Sequence, residues 1–119
     1  MKAFSCLFAV LLASVAFAGG GANQTESARY RCEDGTLIVA HYHQKQGVAS
    51  SVDLVWKGQK FMLPLARSAD GGRYFDGHLE WWIAANYGTG WKEVGTLRKV
   101  NSRTGQLDID IYQKCALLK

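Results

Sequence analysis

The chain has 119 residues, with 14 Lys and Arg against 10 Asp and Glu, three Cys, one Pro and 13 Gly. That length holds one domain around one core. Its 48% hydrophobic and 20% charged residues exclude a disordered chain.

Residues 1–18 open with Met1-Lys2-Ala3, run through Phe4, Leu7, Phe8, Val10, Leu11, Leu12 and Val15, and close on Ala16-Phe17-Ala18. One positive charge, an apolar run too short to span a bilayer and a small–x–small ending describe a secretory signal cleaved after Ala18. Its removal leaves 101 residues and takes away Lys2 and Cys6, so the net charge falls from +4 to +3 and two cysteines remain, Cys32 and Cys115. No Cys follows the apolar run to carry a lipid, and no later apolar stretch approaches membrane-spanning length. The expectation is a soluble, exported, periplasmic protein with no membrane insertion after cleavage. An even pair of Cys in an exported domain reads as a disulfide. Closing Cys32 to Cys115 would enclose nearly the whole mature domain, worth roughly 4–5 kcal/mol in the chain-entropy account.

Residues 19–28, small and polar, read as a flexible leader, and residues 29–119 as the folded domain. From Tyr30 onward the pattern is β. Thr36–His43 is rich in β-branched and aromatic residues and follows the turn signal Asp34-Gly35. Gln44–Gly47 reads as a turn, Val48–Trp56 as a second strand, and Lys57-Gly58 as a reversal into Gln59–Leu63, with Pro64 ending that run. Arg73–Phe75 and His78–Trp82 flank Asp76-Gly77, a hairpin signal whose two central residues accept positive φ. Trp91–Val100 is a further strand, Asn101–Gly105 a turn, and Gln106–Cys115 the last strand. There Leu107, Ile109 and Ile111 alternate with Asp108, Asp110 and Tyr112, which assigns the second set to solvent. No capped segment of ten or more residues in the mature chain carries helical periodicity. Seven to eight short strands with regular turns make an all-β domain, a small antiparallel β-barrel or sandwich tied by one disulfide.

Candidate chemistry is sparse. His41 and His43 share one strand face, and His78 is a third histidine, but with no carboxylate or Cys in register they read as surface histidines and not as a metal site. Asp108 and Asp110 stand about 7 Å apart by strand rise, within glycosidase range, yet on the solvent face where nothing raises the pKa of a general acid. Ser, His and Asp occur without a nucleophile-elbow context. An enzyme, a cofactor and a metal are not expected. The +3 charge is not gathered into a basic run interleaved with aromatics, so nucleic acid is not an expected partner. Trp81 and Trp82 must face opposite sides of a strand, one into the core and one outward. The segment Arg67-Ser68-Ala69-Asp70-Gly71-Gly72-Arg73-Tyr74 combines a hydroxyl, a carboxylate, two glycines, a guanidinium and a phenol ahead of the best hairpin, a composition suited to recognition.

Tyr30-Arg31-Cys32-Glu33-Asp34-Gly35 resembles the opening Y-x-C-x-x-G of the membrane-bound and periplasmic inhibitors of C-type lysozyme. Ser68–Tyr74, then Asp76-Gly77 and Trp82, resembles that family's S-x-S-G-x-[KR]-Y…D-G…W signature, and Cys115 matches the partner cysteine. The likeness implies an eight-stranded antiparallel barrel in a Gram-negative envelope. It also implies a loop that enters the lysozyme active-site cleft, with C-type lysozyme as the protein partner. Carried over residue by residue, the partner-binding set is Ser68, Asp70, Gly71, Arg73 and Tyr74. Two positions depart from the pattern: the family's second serine is Asp70 here, and the usual basic contact falls on Ala84. Lys92 or Arg73 is the nearby replacement for that charge. A second reading keeps the barrel but replaces inhibition by binding of a saccharide or another envelope protein.

Overall fold

The computed structural model describes residues 23–68, 71–86 and 92–118. The expected signal at 1–18 lies outside them, as does Asp70. Eight strands form a closed barrel in which each pairs antiparallel with the next and β8 returns to β1. They are β1 (Gln24–Cys32), β2 (Leu37–Lys45), β3 (Val48–Trp56), β4 (Gln59–Ala66), β5 (Gly72–Phe75), β6 (Leu79–Asn86), β7 (Lys92–Lys99) and β8 (Ile109–Leu117).

The tight hairpins follow from backbone chemistry. β2–β3 and β3–β4 turn on two residues each, Gln46-Gly47 and Lys57-Gly58, all four with positive φ. That double positive φ gives a turn twist matching the strands it joins. The β5–β6 turn is shifted one residue from the expected Asp76-Gly77. Its centre is Gly77-His78, with Asp76 N donating to Leu79 O, while the Asp76 carboxylate accepts from the amides of His78 and Leu79. Asp76 is worth more as an acceptor for turn amides than as a residue in the left-handed region.

Strand alternation fills the interior. Tyr30, Ile38, Val52, Leu54, Leu63, Trp81 and Leu97 are fully buried, each aliphatic chain among them contributing about 1.5–3 kcal/mol. Trp81 fits because its ring lies over Gly95, diagonal to it on β7: a Cβ there would lie 2.2 Å from the indole. Trp82 points the other way and is half-buried.

Three expectations are corrected. β1 begins at Gln24, inside the segment read as a leader, because its exposed residues pair along β2 from Gln24↔Gln44 onward and Thr25 and Ser27 hydrogen-bond to His43 and His41. Pro64 does not end β4, which runs to Ala66. β5 pairs only with Leu65 and Ala66, so Pro64 sits where that edge of β4 has no ladder partner and needs no amide. Tyr112 is buried, not solvent-facing. The β7–β8 register slips between Gly95 and Arg98, opposite Tyr112 and Cys115, and this turns Tyr112 inward. The amides of Gln113 and Lys114 in that irregular stretch are accepted by Glu33 Oε1, at 2.5 and 3.2 Å.

β1 and β8 pair over three residues only, Tyr30–Cys32 with Cys115–Leu117. The Cys32–Cys115 disulfide lies in this short ladder and ties the first strand covalently to the last where the barrel closes.

Candidate functional site

The meander sends its connections to alternate ends. The β2–β3 turn, the β4–β5 connection (67–71) and the β6–β7 connection (87–91) leave from one end, together with the start of β1 and the end of β8. The candidate residues Ser68, Gly71, Arg73 and Tyr74 therefore share an end of the barrel with the start of β7 at Lys92 and with Ala84, three residues before the 87–91 connection. Asp70 belongs to the same connection but lies outside the described residues.

The stem of the β4–β5 connection is held at three points. Gly71 has φ +67° and packs so tightly on β6 that a Cβ would lie 2.1 Å from Ile83 O. Only glycine meets both conditions. Ser68 Oγ donates to Gly71 O at 3.3 Å, closing the connection on itself. Arg73 projects from the outer face of β5, where its Nε donates to Glu80 Oε2 at 2.5 Å and its Nη1 to Arg67 O at 3.2 Å. Its guanidinium also lies 5.1 Å from the Phe75 ring centroid.

Glu80 is fully buried although it faces outward on β6, because two guanidiniums cover it. Arg98 Nε donates to its other oxygen at 2.8 Å. This hydrogen bond, ahead of a smaller opposing desolvation, holds the Arg98 pKa above its ordinary value. The chain Arg98–Glu80–Arg73–Arg67 O thus ties β7, β6 and β5 to the connection's first residue.

The five candidates within the described residues do different work. Tyr74 points inward, is 5% exposed and packs 5.7 Å from Tyr42, so it lines the barrel beneath the loop. Arg73 is engaged in the clamp, and Gly71 shapes the chain. Lys92 begins β7 opposite Asn86. The sequence places Arg67 in the recognition segment and Glu80 near it, but gives neither its part in the clamp. Glu80 alternates with Leu79 and Trp81 as any solvent-face residue does, so no pattern marks it as buried. Arg67, next to Ser68, is exposed and its carbonyl is pinned by Arg73, a placement that depends on a contact six residues away.

The histidines also have a partner that the sequence hid. Asp53 stands opposite His41 in the β2–β3 register, and its Oδ2 lies 2.9 Å from His43 Nε2. The expectation of no carboxylate in register is corrected, since the pairing brings residues twelve apart together. Lys60 approaches the same oxygen at 4.0 Å. His78 belongs to the opposite end of the barrel, and among the described residues no group of three or more His, Cys, Asp or Glu is arranged to hold a metal ion. Asp110 is exposed and accepts from Gln113 Nε2 at 3.2 Å; Asp108 is exposed as well.

Against this geometry stands the comparison with known families. The profile described as membrane-bound lysozyme inhibitor of c-type lysozyme matches residues 30–93, more than half of the chain. The chain belongs to this family of lysozyme inhibitors. The matched span runs from the first inward tyrosine through the clamped connection to the start of β7. Among curated proteins no match is found. Among the described residues no helix is long and apolar enough to cross a membrane.

Proposed function

We propose that this protein is an exported, soluble inhibitor of c-type lysozyme that acts through the β4–β5 connection, with Ser68 and Asp70 as contact residues and Gly71, Arg73 and Tyr74 shaping the stem. The observation that carries the reading is the family match across 30–93 together with the pinning of that connection by Gly71 on Ile83 and by Arg73 on Glu80 and Arg67. A recognition loop held rigid before binding loses less conformational entropy when it docks. Arg73 is spent on the clamp, so the positive charge expected where Ala84 now stands comes from Arg67 or Lys92. Arg67 is favoured, because it is exposed and adjoins Ser68. The cleft of a lysozyme carries catalytic carboxylates, and a guanidinium offers them a charge-assisted hydrogen bond.

The test is lysis of peptidoglycan-bearing cells followed by turbidity, with the mature protein and a c-type lysozyme. Inhibition at near-stoichiometric amounts is expected. Full lysis at about a hundredfold molar excess, far above what micromolar binding requires, rejects the reading. In that event the saccharide alternative is examined by tryptophan fluorescence with chito-oligosaccharides, Trp82 being the outward indole of β6.

A further inference from the structure

Below the clamped connection the barrel interior opens at the same end into a cavity of about 520 Å³, lined by Tyr42, Tyr74, Ile83, Leu117, Glu26 and Glu93. This volume is that of a small-molecule site, and its walls combine apolar and aromatic surface with a few polar groups.

A directed hydrogen-bond chain ends in the cavity. Trp81 Nε1 donates to Tyr42 Oη at 2.9 Å, the hydroxyls of Tyr42 and Tyr30 are 2.7 Å apart, and Tyr30 donates to Glu93 Oε2. A phenol has one proton, so Tyr30, having given its own to Glu93, must accept from Tyr42. Every proton in the chain therefore points toward Glu93, and the buried polar groups of Trp81, Tyr42 and Tyr30 are satisfied in an arrangement that a carboxylate terminates. The negative charge reaches the third phenol: burial first, then the field of Glu93, raises the Tyr74 pKa. Glu26, opposite Tyr42 in the β1–β2 register, adds a second carboxylate to the lining. Among the described residues of the lining Arg29 is the one cation, and it stands on the outward parity of β1, on the rim. A mouth with Glu93 half-buried among tyrosine rings, Glu26 exposed at its edge and its base on the outward parity favours a cation with an apolar body.

We propose that the mouth of the barrel binds a small organic ammonium ion, with Glu93 as its counter-ion and the rings of Tyr42 and Tyr74 as its walls. The site adjoins the inhibitory connection, sharing Tyr74 with its stem, but its occupancy is read without lysozyme. The Trp81 indole N–H, at the far end of the chain that Glu93 terminates, is the reporter. The mature oxidised protein is titrated with n-butylammonium chloride while the indole N–H resonances are followed by NMR. Sodium butyrate and n-butanol serve as controls at matched ionic strength.

Butylammonium is expected to shift the Trp81 resonance saturably in the millimolar range, with butanol and butyrate at least about tenfold weaker, the charge being what the site reads. Glu93→Gln should weaken butylammonium binding by about tenfold or more. Glu26→Gln leaves the hydrogen-bond chain intact and should weaken it about threefold; this variant carries the test if Glu93→Gln loses its dispersed spectrum. The proposal is overturned by no saturable shift up to about 50 mM, beyond the range expected of so small a ligand. It is equally overturned by butanol binding as well as butylammonium, or by unchanged affinity in the folded carboxylate variants.

Discussion

Arg73 and Glu80 form an ion pair on the outer wall of the barrel, at 2.5 Å from Nε to Oε2, and the carboxylate is fully buried while the arginine side chain is 22% exposed. Arg98, 29% exposed, takes the other oxygen. Replacing the carboxylate leaves two guanidiniums facing each other with their shared acceptor gone. Glu80→Ala is expected to cost about 3 kcal/mol of stability, the range for breaking a buried charge network from one side. A urea unfolding series measures it, and an unmoved midpoint contradicts this account. Arg73→Ala should cost less, since Glu80 keeps Arg98.

Gly71 and Gly77 separate two costs that look alike in sequence. Both have positive φ, +67° and +97°, but a Cβ at Gly77 meets open space whereas one at Gly71 lands 2.1 Å from a backbone oxygen. Gly77→Ala should lose about 1 kcal/mol from strain alone. Gly71→Ala must also push the connection away from β6. It is expected to abolish most lysozyme inhibition while the barrel stays folded. Equal inhibition by the two variants at matched stability removes Gly71 from any role in shaping the loop.

The difference between those glycines marks what a sequence can carry. The count of seven to eight strands follows from residue type and turn chemistry, which are local, and the Cys32–Cys115 bridge from the even pair of cysteines left in an exported domain. Gly71 beside Ile83, Asp53 beside His43 and Glu80 between two arginines are set by register, and register is fixed by how the whole barrel closes. Tyr112 shows the same limit within one strand. Its alternation with Ile109 and Ile111 is sound up to the irregularity, and a bulge leaves no mark in side-chain pattern when its amides are satisfied from Glu33 on another turn. β1 escaped notice for a related reason: Gln24–Ser27 carry no apolar face and are strand only because β2 lies alongside.

Arg67 makes the electrostatic reading testable. If it meets a catalytic carboxylate of the lysozyme, Arg67→Ala should weaken inhibition about tenfold, near 1.4 kcal/mol, without moving the unfolding midpoint, because the clamp uses its carbonyl and not its side chain. The overall charge acts in the opposite sense. The whole chain is at +4, and would be at +3 with the signal expected at 1–18 removed; c-type lysozymes are often basic, so raising salt from about 20 to 200 mM screens repulsion over distances beyond 10 Å and should leave inhibition equal or stronger. Inhibition that collapses over that range would mean that attraction between the two surfaces, and not a local contact, drives association.

The phenols of the barrel give the protein an alkaline limit. Burial is the main cause that lifts the pKa of Tyr30, Tyr42 and Tyr74 above the ordinary 10.0; the Tyr42 hydroxyl and Glu93 lift Tyr30 further, and the charge of Glu93 adds to the other two. The sign follows from proton counting. Below about pH 9 each phenol is protonated in both folded and unfolded chains, so pH has no leverage and their contribution is fully present. Above about pH 10 the unfolded chain ionises first, the folded chain still holds its protons, and stability falls as pH rises toward the folded values. Each phenol contributes up to about 1.4 kcal/mol per pH unit in that window. Guanidinium unfolding midpoints measured from about pH 8 to 11.5 should therefore be flat and then drop steeply. Tyr42→Phe should start from a lower plateau, having lost its bonds to Trp81 and Tyr30, yet decline with a shallower slope. A slope unchanged by that substitution would show that the alkaline loss arises elsewhere than in the tyrosines of the interior.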